Sequence, residues 1–125
     1  MLFGEFYHQI DAKNRFRIPT KLSAHLGANP VISKGTNGCL FLFAREVFET
    51  KIADQLDASP IDTTNAKAVR VLFSSAAELE EDGQGRCLLP KNLLEFAKIQ
   101  KDIVFIGVGN RAEIWAKEEY GKYML

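Results

Sequence analysis

The sequence has little of several residue types, and each shortage excludes a class of protein. It contains only two histidines and two cysteines among 125 residues. No apolar run approaches the roughly 20 residues that a membrane-spanning helix requires, and no basic stretch precedes an apolar segment at the N-terminus, as a secretory signal would demand. No charge of one sign prevails, since 16 basic and 16 acidic side chains give a formal charge of zero. These absences predict a cytoplasmic protein without a membrane anchor.

What is present is the composition of an ordinary globular domain. Hydrophobic residues make up 46% of the chain and charged residues 26%, which is too apolar for a disordered protein. A chain of this length forms one domain, or two small halves that share a core. We therefore predict a single domain over residues 1–125.

The few chemically reactive side chains argue against catalysis. His8 falls in an alternating strand and His25 in a short helix, which are typical positions of structural histidines. Cys39 and Cys87 lie in apolar runs and lack the short spacing of a metal or redox pair, so we expect small core residues. The sequence also lacks a nucleophile elbow, a phosphate-binding loop and a zinc-protease motif. It predicts a protein that is not an enzyme, with no metal and no cofactor.

The chain repeats itself. Residues 11–22, DAKNRFRIPTKL, return as residues 82–93, DGQGRCLLPKNL, at an offset of 71, with an Asp, an Arg, a Pro and a Leu at matching places. A second match, at an offset of 72, relates residues 42–48 to residues 114–120. We predict a first internal repeat over about 5–56, a linking helix over about 62–76 and a second repeat over about 77–125.

Each repeat is predicted to be a β-β-α-β-β unit. The predicted strands are residues 5–10, 15–18, 31–34 and 39–43 in the first repeat, and 77–81, 86–89, 103–106 and 111–115 in the second. Pro19 and Pro90 suit the first position of a helix, and we predict short helices over 19–26 and 90–97. Further helices are predicted over 45–56 and 62–76, with a loop over 57–60 between them.

The duplication predicts how the halves combine. A single half would leave its sheet edges and its apolar face uncovered. We therefore expect a mostly β, barrel-like body in which the halves exchange hairpins around a pseudo-twofold axis, with the intervening helices outside.

Two polar turns carry the candidate site. In each turn an acid precedes an arginine by four residues, so Asp11 can pair with Arg15 and Asp82 with Arg86. Asn, Asp and Gly in these turns supply the positive φ that tight turns demand. Taken one at a time, each pair is most simply a local charge pair that holds its own turn.

Basic residues are concentrated at the first turn. Four of the six basic residues in the first fifty lie between positions 13 and 21, whereas the second turn has only Arg86 and Lys91. An aspartate can orient a guanidinium through one of its N–H groups. The other N–H groups of the guanidinium then stay free for phosphate or guanine. The predicted DNA-contacting residues are Lys13, Asn14, Arg15, Arg17 and Arg86, and the predicted orienting residues are Asp11 and Asp82.

These motifs resemble the MraZ family of bacterial transcription regulators, which are similar to the swapped-hairpin DNA-binding proteins of the AbrB and MazE type. The resemblance covers nearly the whole chain. It rests on the opening MLFGEF, the pair of D-x-x-x-R motifs, the strand GCLF at 38–41, the junction FSSAAE at 73–78 and the segment IGVGNRAEIW at 106–115.

The resemblance implies an α+β fold, mostly β: a double-split, swapped-hairpin β-barrel formed by the two repeats with additional helices. It also implies a homo-oligomeric ring of roughly eight or more subunits. Such rings bind double-stranded DNA at short tandem direct repeats upstream of the division and cell-wall gene cluster, and members repress or tune their own operon. A nucleoid-associated location in the cytoplasm follows. Asp11, Arg15, Asp82 and Arg86 are the residues that match the family's motifs.

A different class also fits the sequence, namely an oligomeric protein-interaction or antitoxin-like module without its own specific DNA site. In that case the acidic middle, residues 54–81, docks another protein and the two turns are purely structural. The placement of charge separates the two classes. A DNA-binding protein gathers its basic turns on one face, whereas an interaction scaffold leaves them scattered.

Overall fold

Antiparallel strands dominate the structure, a computed structural model that describes residues 1–52, 54 and 64–125. The strands are β1 (Leu2–Gln9), β2 (Arg15–Phe16), β3 (Val31–Lys34), β4 (Leu40–Phe43), β5 (Ala77–Glu78), β6 (Cys87–Leu88), β7 (Asp102–Gly109) and β8 (Ala112–Ala116). The helices are α1 (Thr20–Leu26), α2 (Arg45–Val47) with a π-helical continuation over Phe48–Ile52, α3 (Ala66–Ser75), α4 (Lys91–Phe96) and α5 (Lys117–Tyr123). The predicted α+β class, with antiparallel sheet and several helices, is confirmed.

Strand pairing crosses between the two halves of the chain. Six strands form one antiparallel sheet in the order β1-β7-β8-β4-β3-β5, and β2 and β6 form a separate two-stranded ribbon. The first half supplies β1 to pair with β7, and the second half supplies β5 to pair with β3. Within the described part of the chain these ladders do not close into one ring of strands, so the closed barrel stays a prediction.

The strands on either side of each polar turn take their main partners from the other half of the chain. β1 does not pair with β2 but with β7, and β2 pairs with β6. In the second half, one bridge between Glu81 and Cys87 spans the turn. The physical reason is burial, because the β2–β6 ribbon places Phe16 and Cys87 together in the main core.

The pairing of β1 with β7 explains two differences in strand length. β1 begins at Leu2 rather than at residue 5, and β7 continues to Gly109 rather than ending at residue 106. The two strands pair in register from Leu2 opposite Gly109 to Gln9 opposite Asp102. Gly107 permits this close approach, since a Cβ there would lie 2.2 Å from the backbone nitrogen of Phe3.

Three helices begin later than predicted, whereas the helix predicted from residue 45 begins at Arg45. Pro19 and Pro90 are extended N-cap residues, with ψ of 135° and 138°, so the helices start at the next residue in each case. The linking helix starts at Ala66 rather than at residue 62. The end of the predicted helix 45–56, the loop 57–60 and residues 62–63 lie outside the described residues.

The helix that follows β4 changes type. Arg45–Val47 is α-helical, and Phe48–Ile52 forms a π-helical turn. The Phe48 ring lies between Phe43 and Phe73, with centroids 5.5 Å away in each case. Aromatic packing of this kind is tertiary, and the periodicity of one segment does not predict it.

The core confirms both predicted cysteine positions. Cys87 lies in the main cluster beneath the ribbon, and Cys39 lies in a second cluster with Trp115 and Tyr120. Burial raises the pKa of Cys39 to about 12 and that of Cys87 to about 11, so both thiols stay protonated at neutral pH. Among the residues that the structure describes, no helix has the length and apolarity needed to cross a bilayer.

Candidate nucleic-acid interface

Each polar turn is closed by its aspartate. Oδ1 of Asp11 accepts hydrogen bonds from the backbone N–H groups of Lys13 and Arg15, both at 2.9 Å. Oδ2 of the same carboxylate accepts a third from Arg15 Nε at 3.1 Å. A single side chain therefore fixes the backbone of the turn and the direction of the guanidinium.

The second turn repeats this geometry. Asp82 Oδ1 accepts from the backbone N–H groups of Gln84 at 2.8 Å and Arg86 at 2.9 Å, and Oδ2 accepts from Arg86 Nε at 3.2 Å. Asn14 and Gly85 occupy equivalent places, with φ of 62° and 76°. Asn and Gly adopt this left-handed region most readily, so the predicted turn chemistry is confirmed at both positions.

The two turns lie side by side and share their charges. We call Asp11, Arg15, Asp82 and Arg86 the Asp–Arg cluster. Arg86 Nη1 lies 3.5 Å from Asp11 Oδ2, and Arg15 Nη1 lies 4.0 Å from Asp82 Oδ2. These side chains are between 22% and 35% exposed, so the cluster is a half-buried ring of alternating charge. Sequence reasoning identified the pair within each turn but not the contacts between the turns.

The hydrogen bonds hold both carboxylates in the ionised form. The backbone N–H of Arg15, helped by that of Lys13 and by the Arg15 guanidinium, lowers the pKa of Asp11 below its ordinary 3.8. The backbone N–H of Arg86 is the main cause that lowers the pKa of Asp82. Because the folded-state pKa is depressed, this stabilisation is present above pH 3.8 and is lost as the pH falls through the folded value.

The double variant Asp11→Asn, Asp82→Asn should therefore be less stable than the wild type at neutral pH. The difference should shrink as the pH falls below 3.8, because the wild-type carboxyls then become neutral as well. Urea unfolding between about pH 7 and about pH 2.5 measures it. Glu118→Gln, an exposed change on α5, is the control and should show little effect. A stability difference that stays constant over this pH range would show that ionised Asp11 and Asp82 are not what stabilises the turns.

The β2–β6 ribbon presents the cluster outward. Arg15 pairs with Leu88, and Phe16 pairs with Cys87. Phe16 and Cys87 are buried, so the alternation of side chains in a strand directs their neighbours to the outer face. The outer face therefore carries four side chains: Arg15, Arg17, Arg86 and Leu88.

The remaining predicted residues flank the cluster. Lys13 and Arg17 are exposed, and neither forms an ion pair with any carboxylate in the described part of the chain. Arg17 lies beside the second turn, since a Cβ on Gly85 would be 4.0 Å from its Nη1. Asn14 is half-buried, and its carbonyl accepts a hydrogen bond from the Leu89 N–H at 2.8 Å. The ribbon thus brings all the predicted site residues together, while their contact with DNA stays a prediction.

Within the turns and the β2–β6 ribbon, the halves differ in charge at two matching positions. The offset of 71 relates Lys13 to Gln84 and Arg17 to Leu88. Among the residues of the two turns and the β2–β6 ribbon, the cations without an ion pair therefore belong to the first half. Sequence reasoning missed Leu88, although its match to Arg17 was available from the repeat.

The fold and the cluster together define a class of protein, namely a small α+β protein with two matching acid–arginine turns. These turns are distant in the chain, and strands β2 and β6, which follow them, pair into one β-ribbon that holds the turns together on its outer face. The chain belongs to the MraZ family. The model of that family, described as "MraZ protein, putative antitoxin-like", matches residues 1–71 and again residues 72–124.

Curated relatives support a transcription regulator. The chain is 45% identical over 124 residues to "Transcriptional regulator MraZ" of Clostridium beijerinckii, covering 98% of this chain and 87% of the relative. It is 48% identical over 121 residues to the protein of the same name from Symbiobacterium thermophilum, covering 96% and 87%. The Carboxydothermus hydrogenoformans protein of that name is 42% identical over 124 residues, covering 98% and 86%. These relatives are named as regulators and not as enzymes.

Proposed function

We propose that this protein is a sequence-specific DNA-binding transcription regulator that represses its own operon, and that the β2–β6 ribbon is its DNA-contacting surface. The observation that carries the proposal is the joining of both D-x-x-x-R turns on one outward face, where Asp11 and Asp82 hold Arg15 and Arg86 in place. A guanidinium that is already oriented loses little freedom on binding. The names of the curated relatives support the same class.

The side chains divide into two roles. Arg15 donates Nε–H to Asp11, and its Nη1 lies 4.0 Å from Asp82, too far for a hydrogen bond, so Nη1 and Nη2 both keep donors for a partner. Guanine presents two acceptors, O6 and N7, in the major groove, so Arg15 is assigned to base reading. Lys13 and Arg17 are exposed and unpaired within the described chain, and we assign them to phosphates. Asn14 and Arg86 complete the proposed contact surface.

Assembly supplies the affinity that one ribbon lacks. A chain of zero net charge with few free cations should bind DNA weakly as a monomer, in the nonspecific range of about 10⁻⁴ to 10⁻⁶ M. We infer a homo-oligomeric ring whose subunits place successive ribbons on tandem direct repeats, which raises avidity by about 10²- to 10⁴-fold. The two duplicated halves of the chain offer nonidentical faces that can meet head to tail. The proposed location is the cytoplasm, at the nucleoid.

The alternative of an antitoxin-like interaction module has weaker support. The arginines of both turns share one ribbon instead of lying scattered. Within the acidic middle, Glu78 is already paired with Arg45 at 2.7 Å, and residues 55–63 lie outside the described part. Charge placement therefore favours the DNA-binding function.

Solution mass, measured by light scattering with and without DNA, tests assembly and partner together. Duplexes that the protein selects from a randomised pool serve as the probe, and scrambled duplexes of the same composition serve as the control. We expect a mass of several subunits that increases by one duplex only with the selected tandem site. A strictly monomeric protein, or a selection that enriches no sequence, contradicts the proposal.

Lys13→Ala should weaken binding to all duplexes about equally. Each phosphate contact releases counterions, so the slope of log affinity against log salt should flatten by about 0.9 for every engaged subunit. Anisotropy titrations between about 50 and 200 mM salt measure this slope. Lys67→Ala, an exposed lysine on α3, should leave it unchanged. A loss confined to the selected sequence would instead assign Lys13 to base reading.

A further inference from the structure

The outer face of the β2–β6 ribbon is asymmetric in one place. The two halves match in Arg15 and Arg86, which both belong to the Asp–Arg cluster. At the next outward position the first half has Arg17, whereas the second half has Leu88. One end of an otherwise matched surface is therefore cationic and the other is apolar.

Leu88 is 61% exposed, although it lies on the ribbon that buries Phe16 and Cys87 beneath it. It is the direct ladder partner of Arg15. The Cβ atoms of such partners lie about 4.5–5.5 Å apart on the same face. A ligand that reaches the Arg15 guanidinium therefore also covers the Leu88 side chain.

The chemistry of the DNA major groove supplies an apolar group for this leucine. The groove admits a two-stranded β-ribbon, and its apolar feature is the 5-methyl group of thymine. Guanine O6 and N7, the acceptors suited to Arg15, lie on the same groove floor. A thymine near that guanine would place its methyl group against Leu88, while Arg17 at the opposite end faces phosphate.

We propose that Leu88 is a specificity-determining residue that contacts a thymine methyl group and, together with Arg17 at the matching position, gives the ribbon one direction along the DNA. This inference rests on the proposed DNA-binding function and deepens it. With arginine at both positions, the outer face of the ribbon would be the same in either direction, and only the turns, where Lys13 matches Gln84, would still differ. A ribbon with Arg17 and Leu88 distinguishes the two directions, so neighbouring subunits of a ring select repeats that run the same way.

The test is a double-mutant cycle between protein and DNA. The probe is a duplex that the wild-type protein selects from a randomised pool, with thymine replaced by deoxyuridine at one position at a time. Deoxyuridine removes only the methyl group. Replacement of one particular thymine in a repeat should lower the affinity of the wild type about fourfold, which is the effect of no longer burying one methyl group. Leu88→Ala should bind the thymine and deoxyuridine duplexes equally.

Matched variants keep the result interpretable. Leu88→Met retains an apolar side chain and should keep the sensitivity to deoxyuridine. Val71→Ala, on α3 and also exposed, should keep it as well. Thermal unfolding should show the wild-type fold for Leu88→Ala. If it does not, Leu88→Arg replaces it in the test, and this variant should also lose the sensitivity to deoxyuridine.

The outcomes separate this inference from the proposed function. If the wild type binds its selected duplex but no thymine responds, or if Leu88→Ala responds as strongly as the wild type, the role of Leu88 is overturned and the function stands. If the wild type selects no sequence, the proposed function fails and the inference fails with it. The directional role has its own measurement: inverting one of two repeats should weaken the wild type more than Leu88→Arg, and equal losses would overturn it.

Discussion

Arg15→Ala should abolish sequence-specific DNA binding while leaving the assembly intact. A bidentate contact from arginine to guanine contributes about 1–3 kcal/mol of discrimination, or about 5- to 150-fold for each engaged subunit. Several subunits bind one tandem site in the proposed ring, so the losses multiply. Binding to the selected duplex should then fall to the level of a scrambled one.

The geometry of the Asp–Arg cluster explains why the fold should survive this change. Arg86 contacts both carboxylates, Asp82 at 3.2 Å and Asp11 at 3.5 Å, so neither acid is left without a cation. Asp11 also keeps its hydrogen bonds from the backbone N–H groups of Lys13 and residue 15. The mass of the oligomer in solution should therefore equal that of the wild type.

Gel-shift titrations at physiological salt measure the effect, with two matched variants. Arg70→Ala removes an exposed arginine from α3 and should bind as the wild type does. Arg15→Lys keeps the charge but loses the planar fork, so it should retain nonspecific binding and its salt dependence while losing specificity. If Arg15→Ala gives the same gel shift as the wild type, Arg15 is not the residue that reads the DNA sequence.

Gly107→Ala should be the most destabilising single change of a glycine in the described chain. An added Cβ would lie 2.2 Å from the nitrogen of Phe3 and 2.5 Å from the carbonyl carbon of Leu2. Both are backbone atoms of β1, so the clash is not relieved by moving a side chain. We expect a loss of about 3 kcal/mol or more and a melting temperature lower by about 10 °C.

Gly121→Ala provides a control with the opposite sign. Gly121 lies in the exposed helix α5, and a Cβ there meets nothing within 4 Å. Alanine favours a helix over glycine by about 0.8–1.0 kcal/mol, so this variant should be slightly more stable than the wild type. Thermal and urea unfolding compare the two substitutions, and a Gly107→Ala protein that melts with the wild type would refute the steric account.

Loss of the β1–β7 ladder should also perturb the proposed DNA-contacting surface. Ile10, which follows β1, donates its backbone N–H to the Lys101 carbonyl at 2.8 Å. Asp11 comes next in the chain. The first turn is therefore anchored by the same strand that Gly107→Ala displaces, and this variant should bind DNA more weakly than its remaining folded fraction predicts.

Local chemistry explains what the sequence alone determined. The strand Val31–Lys34, the positive φ at Asn14 and Gly85, and the pairing of each aspartate with the arginine four residues later all follow the prediction. Side-chain alternation and turn preferences act over a few residues, so a single segment contains the information.

Only the tertiary structure decided which strands pair and which charges meet. β1 joins β7, β2 joins β6, and the Asp11 carboxylate reaches Arg86, because packing the two halves on one core brings together segments that lie between about seventy and about a hundred residues apart. The π-helical turn at Phe48–Ile52 depends likewise on rings from other elements. Burial of apolar surface is non-directional and involves the whole chain, so the sequence of one segment does not specify which segment it packs against. The hydrogen bonds within a turn, in contrast, have both donor and acceptor in the same few residues, so the local sequence specifies them.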